Sequence, residues 1–197
     1  MDKNKIIQSI RRNSRQNVPL LNPDIFDLEN YGLLENFKKN IHQVGGVFIQ
    51  LHIDKLATYL DENYSHAVDF RTAEAKKEYS ANCSNEKLAQ LKAVILDGQI
   101  GVAENSAIYV DEDNFPNRLI PFINEEIIIC LNSENVLGNM HIAYSRIENH
   151  LNSFGLFISG PSKTADIEQN LVFGAHGSKS FYVILYDNVN QNFDNLL

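Results

Sequence analysis

A chain of 197 residues, 44% hydrophobic and 21% charged, has ordinary globular composition and one domain's worth of length to bury a core. That balance excludes an intrinsically disordered chain, and a formal net charge of −8 argues against nucleic acid or an anionic membrane surface as partner. No apolar run reaches the roughly 18 to 20 residues of a membrane span. The start, Met1-Asp2-Lys3-Asn4-Lys5, leads into a polar amphipathic stretch rather than a signal peptide, so the expected location is the cytoplasm.

Ile6, Ile7 and Ile10 fall at helical spacing, which predicts an amphipathic arm over 3–15 with Arg11, Arg12 and Arg15 on its solvated face. Residues 1–27 are read as this arm and a linker, and 28–197 as a single domain. Leu28, Leu33, Leu34, Phe37 and Ile41 predict a helix ending before Gly45-Gly46. Val47-Phe48-Ile49 reads as a strand, Ile53–Leu60 as a helix, and a short strand is expected near Val68. Lys87–Lys92 reads as helical and leads into a strand at Ala93-Val94-Ile95-Leu96.

Ile108-Tyr109-Val110, Glu126–Leu131, Gly155–Ser159 and Phe181–Tyr186 are rich in β-branched and aromatic residues and predict strands. Helices are expected between the last three, over His141–Leu151 and Thr164–Val172. Strand–helix–strand–helix–strand predicts an α/β fold, a mostly parallel sheet flanked by helices. Ligands of such sheets sit at the carboxyl ends of strands. Three loops are therefore singled out: one after Leu131, one around Glu104–Ser106, and one from Gly160.

Cys83 and Cys130 are the two cysteines, where an iron–sulfur cluster ordinarily takes four thiolates, so no cluster is expected on this chain. Both read as buried small hydrophobes. The six histidines form no H-x-x-x-H pair, and no C-x-x-C exists, so no metal site is expected.

The segment Ile158-Ser159-Gly160-Pro161-Ser162-Lys163-Thr164-Ala165-Asp166-Ile167-Glu168 reads as a strand ending in a Gly-Pro turn. There Ser162 or Thr164 caps a helix, and Asp166 and Glu168 complement its positive end. The same turn can cradle an anion on free backbone amides, with Lys163 assisting. It is not a phosphate-binding P-loop, because Pro161 stands where that motif has lysine. Downstream, Gly174 and Gly177 bracket His176, which suits acid–base work or hydrogen-bond donation as well as a structural role.

Together, S-G-P-S-x-T-x-D-I-E followed by G-x-H-G resembles the C-terminal signature of the LUD family, and within it the C type of lactate utilization protein. Ser178 replaces the family's closing proline. Gly101-Val102-Ala103-Glu104-Asn105-Ser106-Ala107-Ile108 resembles the family's G-I-A-E-T-G-T-V segment, with Asn105-Ser106 in place of Thr-Gly. Arg118 with Leu119-Ile120-Pro121 approximates its R-x-x-x-x-P spacing. Phe37 with Gly45-Gly46 is similar to its early helix and Gly-Gly strand.

The resemblance implies a fold similar to ribose-5-phosphate isomerase, glucosamine-phosphate deaminase and CoA transferases. It implies an accessory or substrate-site subunit in oxidation of L-lactate to pyruvate, beside iron–sulfur partner proteins of the A and B types that carry the clusters. Glu104 and His176 are the candidate catalytic residues; Arg118, Gly160, Ser162, Thr164 and Asp166 are the candidate ligand-binding ones. Two rival readings stay open. Class I CoA transferases use a glutamate in an E-N-G segment as nucleophile, and this chain has Glu104-Asn105-Ser106. A module that binds a small carboxylate without chemistry would use Arg118 and the Gly160–Thr164 turn.

Overall fold

The computed structural model describes residues 3–13, 32–147, 154–165, 171–173 and 177–188, with the backbone alone at 6, 10–13, 164–165 and 171–173. Helix α1 spans Lys3–Asn13. Helix α2, Leu33–Gln43, buries Phe37 and Ile41 completely on the face the heptad-like spacing predicts. It closes by a Schellman arrangement: the Gly45 N–H donates to the His42 carbonyl and the Gly46 N–H to that of Ile41, with Gly45 at φ +87°. Gly46 sits so close to Ile41 and Phe181 that an added Cβ would lie 2.9 Å from each side chain. That close approach seats α2 on the sheet.

The central sheet has five parallel strands in the order β1-β11-β6-β3-β2. Their spans are β1 Val47–His52, β2 Val68–Asp69, β3 Ala93–Gly98, β6 Glu126–Asn132 and β11 Ser180–Asp187. The inner three strands are buried on both faces, which is why β3, β6 and β11 read as near-continuous apolar runs. Helix α3, Ile53–Tyr64, connects β1 to β2, at opposite edges of the sheet, and packs Leu56, Leu60 and Tyr64 on one face. Short helices α4, Ala73–Glu78, and α5, Asn85–Leu88, are capped by the Thr72 and Ser84 hydroxyls and lead to β3.

A second sheet lies over the α2 face in the order β7-β4-β5-β8. It contains β4 Ile100–Val102, β5 Ile108–Asp111, β7 Val136–Leu137 and β8 Gly155–Ile158. Ile108 and Val110 point into the shared core, and Tyr109 and Ala107 point outward under α7, Met140–Ile147. Period-2 alternation divides β5 between two cores. Helix α6, Ile120–Ile123, precedes β6. Among the described residues, no helix is long and apolar enough to cross a membrane.

Two expectations are corrected. Gly155–Ile158 does not join the parallel sheet; it runs antiparallel to β5, Tyr109 facing Phe157. Gly155 lies flat on Tyr109, whose hydroxyl oxygen would be 2.0 Å from an added Cβ, so this strand has one place to pack. The helix expected over Thr164–Val172 is instead two strands, β9 Lys163–Ala165 and β10 Leu171–Phe173, paired antiparallel. Ser162 therefore caps no helix, because the backbone after it is extended. The β-branched and aromatic residues Thr164, Val172 and Phe173 favour a ladder over a helix once their segments can pair.

Candidate functional site

The loops of the resemblance meet at one corner of the molecule. The β4–β5 turn is closed by the Val102 N–H on the Ala107 carbonyl, at 2.8 Å, and by the Ala107 N–H on Asn105 Oδ1, at 3.0 Å. Ser106, fully buried, takes φ +58°, a conformation that suits glycine. The family's glycine at this place is thereby explained, and so is the cost of serine here. Ser106 Oγ donates to the Asn105 carbonyl at 2.6 Å and lies 2.9 Å from Ser159 Oγ, which donates to the same carbonyl at 2.9 Å.

Glu104 is exposed, yet its carboxylate is engaged. Its Oε1 accepts the Met140 N–H at 2.8 Å, at the start of α7, where a negative charge complements the helix dipole. Its own N–H donates to the Gly138 carbonyl at 3.2 Å. Asn40, on α2, donates through Nδ2 to the carbonyls of Ala103 and Glu104 at 2.7 and 3.1 Å. Asn40 was invisible to motif reading, since a lone amide on a helix carries no pattern.

Gly160, at φ +75°, approaches Val44 so closely that a Cβ would lie 2.9 Å from the Val44 carbonyl oxygen. Pro161 rests over Gly45, and the Ser162 N–H donates to the Ser178 carbonyl at 2.8 Å. Gly177 abuts Ser162, so the S-G-P-S turn and the residues closing G-x-H-G lie against each other. Asp166, His176 and the side chain of Thr164 are outside the described residues. The structure thus joins the Asn105–Ser106 turn to Ser159, next to Gly160, and seats Ser162 against Gly177 and Ser178.

Arg118 has other contacts. Its Nε and Nη2 hold Glu112 Oε2 at 3.1 and 2.9 Å, and its guanidinium lies 4.9 Å over the Phe154 ring. The Phe154 backbone and then Arg118 hold the Glu112 carboxyl below the usual carboxylate range. Cys130, on β6, is fully buried and its thiol is pushed up to about 12, first by desolvation.

A parallel sheet with a second sheet and helices layered on it defines an α/β protein. The chain belongs to the LUD domain family, whose model matches residues 3–186. It is 32% identical over 130 residues to lactate utilization protein C of Bacillus pumilus (strain SAFR-032), covering 61% of this chain and 52% of that protein. With lactate utilization protein C of Geobacillus kaustophilus (strain HTA426) it shares 32% over 105 residues, 50% of this chain and 44% of the relative. The matched region spans about half the length of these relatives. A DUF162 family protein of Deinococcus radiodurans has the same fold, with a TM-score of 0.61 at 14% identity over 81% of this chain and 99% of that one.

Proposed function

We propose that this chain is the cluster-free subunit of a lactate-utilization system, holding a small 2-hydroxy carboxylate while iron–sulfur partner proteins take the electrons. The observation that carries the reading is the family match together with the names of the relatives. Two cysteines, one of them fully buried, are too few for a conventional four-thiolate cluster, so the electrons need other carriers. No G-x-G-x-x-G dinucleotide fingerprint occurs in the sequence either.

Within this reading Glu104 and His176 are the acid–base candidates. Arg118, the Gly160–Thr164 turn and Asp166 are the candidate ligand contacts. The test is anaerobic affinity purification of the protein from its native cells, with co-purifying proteins identified by mass. Recovery of cysteine-rich iron–sulfur proteins, and lactate oxidation by the assembly but not by this chain alone, is the expected result. Turnover of lactate by the purified chain with an artificial electron acceptor would sink the proposal.

A further inference from the structure

The carboxyl ends of the central strands carry a second polar group set, on the α3 face, that no motif points to. Asp69 ends β2, Asp97 stands one residue before the end of β3, and Tyr186 stands one before the end of β11. Asp97 is the register partner of Cys130, and Tyr186 that of Asn132, the last residue of β6. Alternation puts Asp97, Cys130 and Tyr186 on the same face as Ile95, Ile128 and Ile184, the residues packed with α3. Four adjacent parallel strands therefore present polar side chains together where α/β sheets take their ligands.

The pairing leaves hydrogen-bonding capacity unused. Arg71 commits Nε and Nη2 to Asp69, at 2.9 and 2.7 Å, in a fork that leaves Nη1 without a partner among the described residues. Asp97, half-buried, accepts no side-chain hydrogen bond from a described residue. Asn132 Oδ1 accepts the Glu134 N–H at 3.0 Å, and its amide N–H donors have no partner among the described residues. Burial raises the Tyr186 phenol, Asp97 adds to the rise, and Arg71 opposes it. Burial raises the Asp97 carboxyl above its ordinary value, while Arg71 and Lys76 pull it down and Asp69 pushes it up. The corner around Glu104 differs: Glu104 Oε1, Asn105 and Ser106 are engaged in holding its loops.

We propose that this face, at the carboxyl ends of β2, β3, β6 and β11, is a second seat for a small 2-hydroxy carboxylate, apart from the corner around Glu104 and Gly160. The ligand's carboxylate lies on the free edge of Arg71 and the Tyr186 hydroxyl, and its 2-hydroxyl donates to Asp97. The ligand class rests on the lactate-utilization reading; the location does not. A free guanidinium edge recognises the carboxylate, and an unpaired, half-buried acceptor recognises the hydroxyl. A site built to hold a hydroxyl discriminates against the analogue lacking it, because its own polar group is then left unpaired.

The experiment titrates the full chain with sodium L-lactate and with propionate, which has the carboxylate and no hydroxyl, following NMR shifts or heat. The parent is expected to prefer lactate by about tenfold or more, the size a charged hydrogen bond supports. Asp97→Ala removes that preference, Asp97→Asn restores part of it, and both leave propionate unchanged. Tyr186→Phe weakens both ligands. Equal affinity for the two ligands, lactate binding unchanged by both Asp97 variants, or no lactate binding at all overturns the site. Partner recovery with a flat lactate titration removes this site and leaves the subunit reading standing. Lactate binding that depends on Asp97, without partners, does the reverse.

Discussion

Ser106 and Ser159, 53 positions apart, place their hydroxyl oxygens 2.9 Å from each other and share the Asn105 carbonyl as acceptor. The contact ties the β4–β5 turn to the end of β8, at a residue whose φ of +58° is unfavourable for any side chain. Two opposed terms of similar size meet at one atom. The left-handed backbone costs about 1–2 kcal/mol, and a buried hydroxyl hydrogen bond contributes about 0.5–1.5 kcal/mol.

Ser106→Gly relieves the first term and forfeits the second, so its stability should stay within about 1 kcal/mol of the parent. Ser106→Ala keeps the strain and loses the hydrogen bonds, and should fall about 1–2 kcal/mol below the parent. Urea midpoints at unchanged m-value give both numbers. Alanine as stable as glycine at this position would show that the backbone strain is relieved elsewhere.

Gly160 meets two constraints at once, a φ of +75° and backbone of Val44 within 2.9 Å of any added Cβ. Gly160→Ala should therefore destabilise the protein by about 2 kcal/mol or more, because the obstructing atom is a carbonyl oxygen with no rotamer to change. Thermal unfolding of this variant beside the parent checks it.

Buried Cys130, its thiol pushed up to about 12, holds almost no thiolate at pH 8. Half-buried Cys83, near the surface on the approach to α5, is the accessible thiol. Iodoacetamide on the folded protein should modify Cys83 alone, and both cysteines only in denaturant. Peptide mass mapping after each reaction decides the matter.

Asp97 should make stability fall with rising pH. Its folded carboxyl is raised above the ordinary 3.8, so the folded chain binds the proton more tightly than the unfolded chain. The stabilising contribution of the protonated form is complete below the ordinary value and is lost as pH climbs through the raised one. Asp97→Asn removes this slope and should gain most over the parent at neutral pH and above. Denaturation midpoints of both proteins at pH 4 and pH 8 measure it; parallel profiles would contradict the assignment.

Much of the layout was legible along the chain because local chemistry dictates it. Phe37 and Ile41 on α2, the Gly45-Gly46 stop, and the apolar runs of β3, β6 and β11 each follow from propensity and period. Glu104, Gly160 and Ser162 were named from motif spacing; the fold ties the turn after Glu104 to Ser159, next to Gly160, and seats Ser162 against Gly177. Arg118 was named by the same spacing and pairs with Glu112. The helix expected over Thr164–Val172 failed because capping signals and ladder-forming residues overlap there, and pairing between β9 and β10 decided between them. Asn40 and the Asp97–Arg71–Tyr186 set left no trace in any motif, since their members stand alone among ordinary neighbours.

The sequence by itself determined the class, the family and most elements, for these depend on periodicity, turn chemistry and recognisable segments within a few residues of one another. Tertiary structure alone decided which strands share a sheet, that β8 turns away from β6 and β11 to pair with β5, and that Asp97 and Tyr186 share the α3 face of the central sheet. The physical reason is that strand partners and buried charges are chosen by groups tens of residues away. A β-strand's own residues state that it will pair and which face is apolar, and do not state with whom.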